Sequence, residues 1–347
     1  MMVDKTRIGI LGAGSVVELY HLPVLRTMAD VSVEWVCDKV GARASDLAKL
    51  HGVNRWFQDL DDCSDVDIVL VAIPVGYRKP AVEYIVKRGW NLFCEKPFAV
   101  STVEHESMLS LAKSNGLQIG VGFMRRFYRS TLLAKAIVAK APFGPIQSVW
   151  ASEGARMRGT GRQGEWYQSD ARAVGGGVLM ETGSHLVDQV ASIMEILECS
   201  IEGCFQVRSG DLDFESRVVS CITTPGGGRV RFGLAISKMS DLFNGIELHY
   251  PSVIMRLRGT PDGTVELCDV EGRNLACLGG GKLDGSVYRA FYDEWREFIM
   301  QCRSRHPSIV DAETARFGTT FIELAYKFRR ASQKTSIPSD ASLMGNG

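Results

Sequence analysis

The chain has 347 residues, 45% of them hydrophobic, a length and composition that suit two domains with cores of their own. Lysine plus arginine and aspartate plus glutamate each number 40, so the formal net charge is zero and nothing points to nucleic acid or a membrane surface. The polar N-terminal residues do not resemble a signal peptide, and no run approaches the roughly 18 apolar residues of a membrane helix. Nine scattered cysteines without a Cys-x-x-Cys pair indicate a reduced, cytoplasmic protein without a metal site.

The first 123 residues alternate apolar runs with segments of helical periodicity. We predict strands at residues 7–11, 31–37, 67–73, 91–94 and 117–122. Helices are predicted between them at residues 15–28, 42–51, 79–88 and 102–114. Such alternation is typical of βαβ units in a parallel sheet. Residues 1–123 are therefore expected to form an α/β, doubly wound Rossmann domain that binds a dinucleotide.

After Phe123 the pattern changes to alternating runs joined by turn signals. Strands are predicted at residues 146–153, 200–209, 217–223, 229–237, 246–250 and 253–258. Helices are predicted at residues 129–140, 178–195, 287–303 and 312–331. This order predicts an α+β domain with an antiparallel sheet over residues 124–338, with a C-terminal helix that packs back on the first domain.

Gly12-Ala13-Gly14-Ser15-Val16 follows the first predicted strand and opens the first predicted helix, the context of a dinucleotide-binding loop. Gly12 permits a tight turn, and Gly14 lets the backbone approach a pyrophosphate at the helix N-terminus. Val17 stands in place of a third glycine, which predicts looser packing of helix on strand. The alternative is a turn that needs its two glycines only for its own geometry.

Asp38 ends the second predicted strand and is placed to accept hydrogen bonds from an adenosine ribose. A carboxylate at this position favours NAD over NADP, because it would repel a 2′-phosphate. Lys39 and Arg43 lie nearby and would soften that preference. We therefore expect NAD as the cofactor, with NADP as the alternative.

Glu95-Lys96-Pro97 ends an apolar strand-like run. The carboxyl edge of a parallel sheet is where ligands bind, and charged side chains there are costly unless they are used. Lys96 is therefore predicted to take part in proton chemistry beside the cofactor.

Glu181, His185 and Asp188 fall at i, i+4 and i+7 of a predicted helix and so share one face. Histidine titrates near neutrality and serves as base for alcohol oxidation or as acid for ketone reduction, while Lys96 can bind the same oxygen. The alternatives are a surface ion pair, a satisfied core histidine, or a metal site for which no third ligand is evident.

In combination, these segments resemble the glucose-fructose oxidoreductase and inositol dehydrogenase-like family (Gfo/Idh/MocA) over nearly the whole chain. The resemblance lies in Gly12-Ala13-Gly14, His21-Leu22-Pro23, Ala72-Ile73-Pro74, Glu95-Lys96-Pro97, Gly175-Gly176-Gly177 and residues 122–127 and 183–188. It implies a Rossmann domain followed by a domain with a large open antiparallel sheet, through which members form dimers or tetramers. Members are NAD(P)-dependent oxidoreductases of sugars, cyclitols and related polyols.

The resemblance also implies residue roles. Lys96 would touch the reacting hydroxyl, and His185 would be the acid/base. Glu95 and Pro97 would shape the turn near the nicotinamide, with a Lys96–Pro97 bond that is often cis in relatives. Further cofactor contacts are expected at Ile73 and Pro74.

Three positions depart from the family pattern. Glu181 stands where many relatives carry aspartate, Val17 replaces a small residue, and Arg78 replaces a histidine after the proline. We expect Glu181 to orient His185 or to bind substrate, and an unusual nicotinamide end of the pocket at Arg78.

Arginines cluster where the family builds its substrate pocket. They are Arg125, Arg126, Arg129, Arg156, Arg158, Arg162 and Arg172. Arginine forks bind phosphate or carboxylate, which would suit an anionic sugar, but the interleaved Glu153, Glu165 and Asp170 fit a balanced surface loop as well. Trp166 and Tyr167 would either stack on a sugar ring or anchor the loop, and Asp188 completes the candidate substrate contacts.

The sequence thus predicts an NAD(P)-dependent dehydrogenase or reductase acting on a CH–OH group of a sugar, cyclitol or sugar derivative. One alternative is an NADPH-dependent reductase of a keto-sugar nucleotide in a biosynthetic pathway. The other is a non-catalytic NAD(P)-binding regulatory protein, because a fold alone does not establish an activity.

Overall fold

The computed structural model describes residues 5–155, 171–209, 212–260, 263–279, 286–306 and 308–334. Six parallel strands form the sheet of the first domain: β1 (Thr6–Leu11), β2 (Val31–Cys37), β3 (Arg55–Phe57), β4 (Ile68–Val71), β5 (Asn91–Glu95) and β6 (Ile119–Gly122). Their order is β3-β2-β1-β4-β5-β6, so the order reverses between β1 and β4. That reversal is where doubly wound sheets open a crevice for a ligand.

Central strands of this sheet are apolar along their whole length because helices cover both faces. All four residues of β4 are buried, for example. The five predicted strands are confirmed to within a few residues. The sequence missed β3, an edge strand of three residues with little buried surface.

The helices of the first domain are α1 (Leu22–Leu25), α2 (Gly41–His51), α3 (Arg78–Lys87) and α4 (Thr102–Ser114). The helix predicted for residues 15–28 is present over residues 15–25, where it contains a π-helical turn, Val17–His21, followed by α1. Val17 is fully buried at the start of this turn, in a core cluster that also contains Ile8 and Ile10 of β1.

Eight strands form the sheet of the second domain: β7 (Ser148–Gly154), β8 (Glu198–Ser209), β9 (Leu212–Thr223), β10 (Arg229–Ser237), β11 (Gly245–His249), β12 (Ile254–Arg258), β13 (Val265–Cys268) and β14 (Asn274–Leu278). Their order is β14-β13-β12-β11-β7-β10-β9-β8. The sheet is antiparallel except that β7 and β10 run parallel, so the predicted antiparallel sheet is confirmed and contains one parallel pair. The sequence missed β13 and β14, which are short and partly or largely exposed.

One face of this sheet is covered by α5 (Arg129–Lys140), α7 (Ser184–Ile193) and α9 (Arg316–Lys334), while the short α6 (Ala171–Val174) precedes the glycine-rich turn. Apolar residues of the sheet, such as Val149 and Phe232, form a core with Val187 and Phe321 of these helices. The opposite face leaves large side chains such as Trp150 and Phe205 exposed.

Helix α8 (Val287–Ser304) packs on the first domain. Its Trp295 and Phe298 lie 4.5 Å and 5.2 Å, centroid to centroid, from the ring of Phe93 in β5. A Cβ at Gly120 of β6 would lie 2.5 Å from the Phe298 ring, so this strand position requires glycine. The helix therefore packs against β5 and β6 of the first sheet. Among the helices of the described ranges, none is long and apolar enough to cross a membrane.

Candidate functional site

The glycine loop after β1 has the geometry of a dinucleotide cradle. Gly12 has a φ of +108°, and a Cβ there would lie 2.4 Å from the carbonyl oxygen of Ala72. A Cβ on Gly14 would meet no atom within 4 Å, so open space lies in front of this residue. The Val17 amide donates to the Gly14 carbonyl across 3.0 Å at the start of the π turn, and Ser15 is exposed beside it. A pyrophosphate can approach the backbone there, which fits a nicotinamide dinucleotide.

Asp38 ties this loop to the end of β2. One carboxylate oxygen accepts from the Ala13 amide and the other from the Val40 amide, each at 2.8 Å. Each oxygen keeps a lone pair for a further donor, so a ribose hydroxyl remains chemically possible. Lys39 is directed toward the Tyr77 ring, 5.3 Å from its centroid.

Ile73 and Pro74 lie at the carboxyl edge of the sheet, directly after β4. Both are half-buried and precede the 3-10 turn Val75–Tyr77, and Ile73 lies beside the glycine loop, with its Cγ2 3.3 Å from the position of a Cβ on Gly12. Their position suits contacts with the nicotinamide end of a cofactor.

Arg78 holds the turn that follows β5. Its Nε donates to the Ile73 carbonyl at 2.9 Å, and its Nη atoms donate to the carbonyls of Glu95, Lys96 and Pro97. The side chain is buried, and desolvation lowers the pKa of its guanidinium. Arg78, which stands where many relatives carry histidine, is therefore a clamp on the backbone of the turn that carries Lys96. The Lys96–Pro97 peptide bond in this turn is cis.

A chain of hydrogen bonds supports Lys96 from inside the protein. Trp295 Nε1 donates to His21 Nδ1 at 2.9 Å, so Nδ1 is the acceptor and Nε2 donates to Glu95 across 2.8 Å. The other Glu95 oxygen accepts from the Lys96 amide at 3.1 Å. Burial opposes ionisation of Glu95, but the hydrogen bond from His21 and the nearby cations lower the pKa of the carboxyl.

Glu294, next to Trp295 on α8, is a residue that the sequence analysis did not single out. It is fully buried, and neither carboxyl oxygen has a hydrogen-bond partner among the described residues. Burial and the neighbouring Glu95 charge raise the pKa of Glu294 well above its ordinary value. The raised pKa favours the neutral carboxyl, which reduces the repulsion between Glu294 and Glu95.

Lys96 and the segment containing His185 meet across the domain boundary. Lys96 Nζ donates to the carbonyl oxygen of Glu181 at 3.2 Å. Glu181 lies in a π-helical turn, Leu179–Gly183, and His185 follows in the first turn of α7. π turns within helices occur frequently at functional sites. The structure thus brings together the three residues predicted to be catalytic.

His185 is neutral at ordinary pH. Burial, followed by the charges of Lys96 and Arg125, lowers the pKa of its imidazole well below the ordinary value. Its Nδ1 is buried and has no hydrogen-bond partner among the described residues, and its ring is edge-on to Phe123 at 6.2 Å. The imidazole is therefore in the form that accepts a proton.

Glu181 is ionised between lysines of the two domains. Burial raises the pKa of its carboxyl, but Lys96, Lys238, a hydrogen bond from Thr182 and Arg125 together bring it below the ordinary value. Lys238 Nζ lies 3.8 Å from Glu181 Oε2, and the two side chains are 32% and 38% exposed. The carboxylate is therefore available to a molecule that enters from solvent.

Asp213 and Tyr326 position this segment, and the sequence analysis did not identify them. Asp213 is fully buried and accepts from the Leu179 amide at 3.0 Å, from Ser216 at 2.5 Å and from the Tyr326 hydroxyl at 2.7 Å. The Tyr326 hydroxyl also accepts from the Gly177 amide at 3.1 Å. A Cβ at Gly177 would lie 2.1 Å from the Asp213 carbonyl oxygen, so this close approach needs glycine. No local pattern could reveal the arrangement, because its members come from three distant segments.

The two neighbouring arginines after β6 have different environments. Arg126 is buried in a bidentate ion pair with Asp188, and it also donates to the Ile309 carbonyl and to Thr314. Burial raises the pKa of Asp188 against the opposing effect of Arg126. Because the donors and acceptors of this pair engage each other, the geometry favours a linking role over the substrate contact expected for Arg126 and Asp188.

Arg125 remains beside the candidate site. It forms a bidentate pair with Glu153 at 2.6 Å and 3.2 Å, and its charge acts on both His185 and Glu181. The other candidate substrate residues, Trp166 and Tyr167, lie outside the described residues, as do Arg156, Arg158 and Arg162. Within the described ranges, no group of three or more histidine, cysteine, aspartate or glutamate side chains is arranged to hold a metal.

An open glycine loop at the reversal point of a parallel sheet, joined to a second domain that covers the same crevice, defines a two-domain dinucleotide-binding protein. Residues 6–123 match the family described as "Oxidoreductase family, NAD-binding Rossmann fold" (Gfo/Idh/MocA). The match covers the first domain and agrees with the resemblance seen in the sequence. The family's NAD-binding description agrees with the expected class of cofactor.

Two curated relatives illustrate the match. The dTDP-3,4-didehydro-2,6-dideoxy-alpha-D-glucose 3-reductase of Streptomyces antibioticus is 29% identical over 185 residues, 53% of this chain and 55% of the relative. The D-glucoside 3-dehydrogenase of Escherichia coli is 25% identical over 197 residues, 56% of this chain and 55% of the relative. The chain thus spans little more than half the length of the curated relatives it matches.

The fold of the whole chain has solved counterparts. The crystal structure of KijD10, a 3-ketoreductase from Actinomadura kijaniata in complex with NADP and TDP-benzene, superposes with a TM-score of 0.80 at 17% identity. The superposition covers 93% of this chain and 98% of that one. Both predicted domains therefore have the expected architecture.

Proposed function

We propose that the protein is an NAD(P)-dependent oxidoreductase that transfers hydride between the nicotinamide and a secondary alcohol or ketone of a sugar-like molecule. The contact between Lys96 and the Glu181 carbonyl carries this proposal, because it places an ammonium group beside a neutral imidazole at the edge of the cofactor crevice. The names of the two curated relatives, both of which act on sugars or sugar nucleotides, support the substrate class.

In the oxidation direction, His185 accepts the hydroxyl proton of the substrate because its imidazole is neutral. The Lys96 ammonium donates a hydrogen bond to the same oxygen and stabilises the negative charge that develops as the proton leaves. A nicotinamide dinucleotide held by the glycine loop, Gly12 and Gly14, would supply the hydride acceptor. In reduction, the same two groups return the proton to the oxygen.

Glu181 has a supporting part in this proposal. Its carboxylate faces the site, with two lysines holding it ionised, so it can accept hydrogen bonds from hydroxyls adjacent to the reacting carbon. We therefore assign it to substrate orientation, while Lys96 and His185 handle the proton.

Two variants test the proposal, His185→Ala and Lys96→Ala, assayed with a panel of sugars and cyclitols. Each is expected to lower kcat by about 100-fold or more, the range of a lost general acid or base. Affinity for NAD(H) should persist in both, because the glycine loop and its hydrogen bond to Asp38 are unchanged. His249→Gln serves as the matched control, since His249 pairs with Glu247 on β11. Near wild-type turnover in both variants would refute the assignment.

One competing function has a specific observation in its favour: a matched relative is named as a reductase of a dTDP-linked keto sugar. Comparing NADH with NADPH, and free sugars with nucleotide sugars, separates it from a dehydrogenase of free polyols. A non-catalytic regulatory role is the remaining alternative. Tight cofactor binding without turnover of any panel member would support it.

A further inference from the structure

Two cations of the candidate site, Arg125 and Lys238, each lie against a carboxylate. Arg125 donates through both Nη atoms to the two oxygens of Glu153, and its side chain is 12% exposed. Lys238 lies 3.8 Å from Glu181. Lys96 is held at the Glu181 carbonyl, where the proposed function places the reacting oxygen.

Glu153 lies at the end of β7 on the face of the sheet that α7 covers. Side chains alternate along a strand, so Glu153 shares a face with the buried Val149 and Ala151. Its side chain keeps 30% exposure even while it binds Arg125. It is therefore a carboxylate at the edge of the site and not a residue of the open surface of the sheet.

This pairing determines which chemical groups the site can accept. A bidentate carboxylate occupies the fork through which an arginine would bind a substrate carboxylate. A negative group on the substrate ring would also meet Glu181 and Glu153, and like charges at short range repel. Hydroxyls, in contrast, can donate to these carboxylates.

We propose that Glu153 is a specificity-determining residue that restricts the site to substrates whose reacting ring is uncharged and rich in hydroxyls. Ring carboxylates such as uronic acids are excluded because Glu153 occupies the Arg125 fork. Phosphates carried away from the ring, as in a nucleotide sugar, are outside this restriction. The inference rests on the proposed function, because it places the ring beside His185.

The test compares wild type with Glu153→Gln on neutral glycosides and cyclitols, each matched with the analogue that carries one carboxylate. Dissociation constants are measured by calorimetry on the NAD-loaded protein, and kcat/KM is measured in parallel. Wild type is expected to bind the neutral members about tenfold or more tightly than the acids. Glu153→Gln frees Arg125, and is expected to reduce this preference by about tenfold through tighter binding of the acids.

Two further variants make the result specific. Glu266→Gln removes the same charge from the Arg258–Glu266 pair on β12 and β13 and is expected to leave the preference unchanged. The double variant Arg125→Gln with Glu153→Gln keeps a neutral hydrogen-bonding pair, and no gain for acids is expected because the arginine is absent. It also provides a folded comparison if Glu153→Gln is unstable.

Several outcomes overturn the inference: equal or tighter binding of acids by wild type, an unchanged ratio in Glu153→Gln, a gain for acids in the double variant, or no binding of either class. The expected binding ratios without any hydride transfer would instead refute the proposed function and leave this specificity intact.

Discussion

Lys96 Nζ and the Glu181 carbonyl oxygen lie 3.2 Å apart, although 85 positions separate the two residues in the chain. Lys96 directly follows β5, while Glu181 lies in the π turn before α7. This contact joins the Rossmann domain to the segment that carries His185. Removal of the Lys96 charge is therefore expected to change the pKa of His185.

The acid limb of the pH–rate profile tests this relationship. Burial and then the Lys96 charge lower the pKa of His185, so in wild type the loss of oxidation activity through protonation of this base is expected below pH 6.5. Lys96→Met removes a positive charge that opposes protonation, so the pKa of His185 rises and the limb moves to higher pH. The measurements are kcat/KM against pH and titration of the His185 ring by NMR.

Lys113→Met is the control for this experiment, because Lys113 pairs with Glu313 at an exposed position. The acid limb of the pH–rate profile of Lys113→Met should coincide with that of wild type. A limb that stays in place or moves to lower pH in Lys96→Met would contradict the assigned electrostatic coupling.

Arg78 offers a test of the turn that carries Lys96. Arg78→Met leaves four carbonyl groups, of Ile73, Glu95, Lys96 and Pro97, without the donor that serves them. We expect a loss of about 3 kcal/mol or more in the free energy of unfolding, measured by urea denaturation, and weaker NAD binding. Arg78→Lys should recover only part of the lost stability, because one ammonium group cannot reproduce the planar fork of a guanidinium group.

Arg55→Met is the matched comparison, since Arg55 forms a half-exposed pair with Glu34. A surface pair of this kind contributes at most about 1 kcal/mol. Equal stability losses in the Arg78 and Arg55 variants would rule out the clamp.

Asp38 supports the glycine loop, and we propose that it also selects the cofactor. Its carboxylate accepts from the Ala13 and Val40 amides, and the proposed second contact is with the adenosine ribose. Asp38→Asn keeps one acceptor oxygen and removes the charge. We expect weaker NADH binding, because the loop loses a hydrogen bond, and a shift of about tenfold toward NADPH in the ratio of dissociation constants.

Fluorescence titration with both cofactors gives these constants. Asp46→Asn, at an exposed position on α2, should leave the ratio unchanged. A ratio that does not move in Asp38→Asn would show that the carboxylate supports the loop without selecting the cofactor.

Much of the first domain could be predicted from the sequence because its central strands are apolar throughout and its helices show a clear period. The edge strands β3 and β14 could not, since exposed residues leave no hydrophobic pattern. The π turns at Val17–His21 and Leu179–Gly183 were also missed, because one extra residue in a turn barely alters helical periodicity.

In the candidate site, too, residues in local motifs could be predicted and residues defined by tertiary contacts could not. Gly12, Gly14, Lys96 and His185 stand in short motifs whose chemistry can be recognised locally. The clamp role of Arg78 could not be recognised, because its carbonyl partners belong to two separate segments. Glu294 gave no signal either, since its significance lies in burial beside Glu95.

Tyr326 provides the last test, of how the segment containing His185 is held. Its hydroxyl donates to Asp213 at 2.7 Å and accepts from the Gly177 amide at 3.1 Å, just before the π turn. Tyr326→Phe leaves that amide without its partner and is expected to cost about 1–3 kcal/mol in the free energy of unfolding. Because the displaced segment carries Glu181 and His185, kcat should fall while the dissociation constant for NAD stays unchanged.

Tyr288→Phe is the matched control, because Tyr288 is exposed on α8. It should change neither the stability nor kcat. If Tyr326→Phe loses stability but keeps full kcat, the hydroxyl contributes to folding alone, and the position of His185 does not depend on it. A fall in kcat that exceeds the control at temperatures where both variants are folded would instead establish Tyr326 as a positioning residue, acting through Gly177 on the base 8 residues further along the chain.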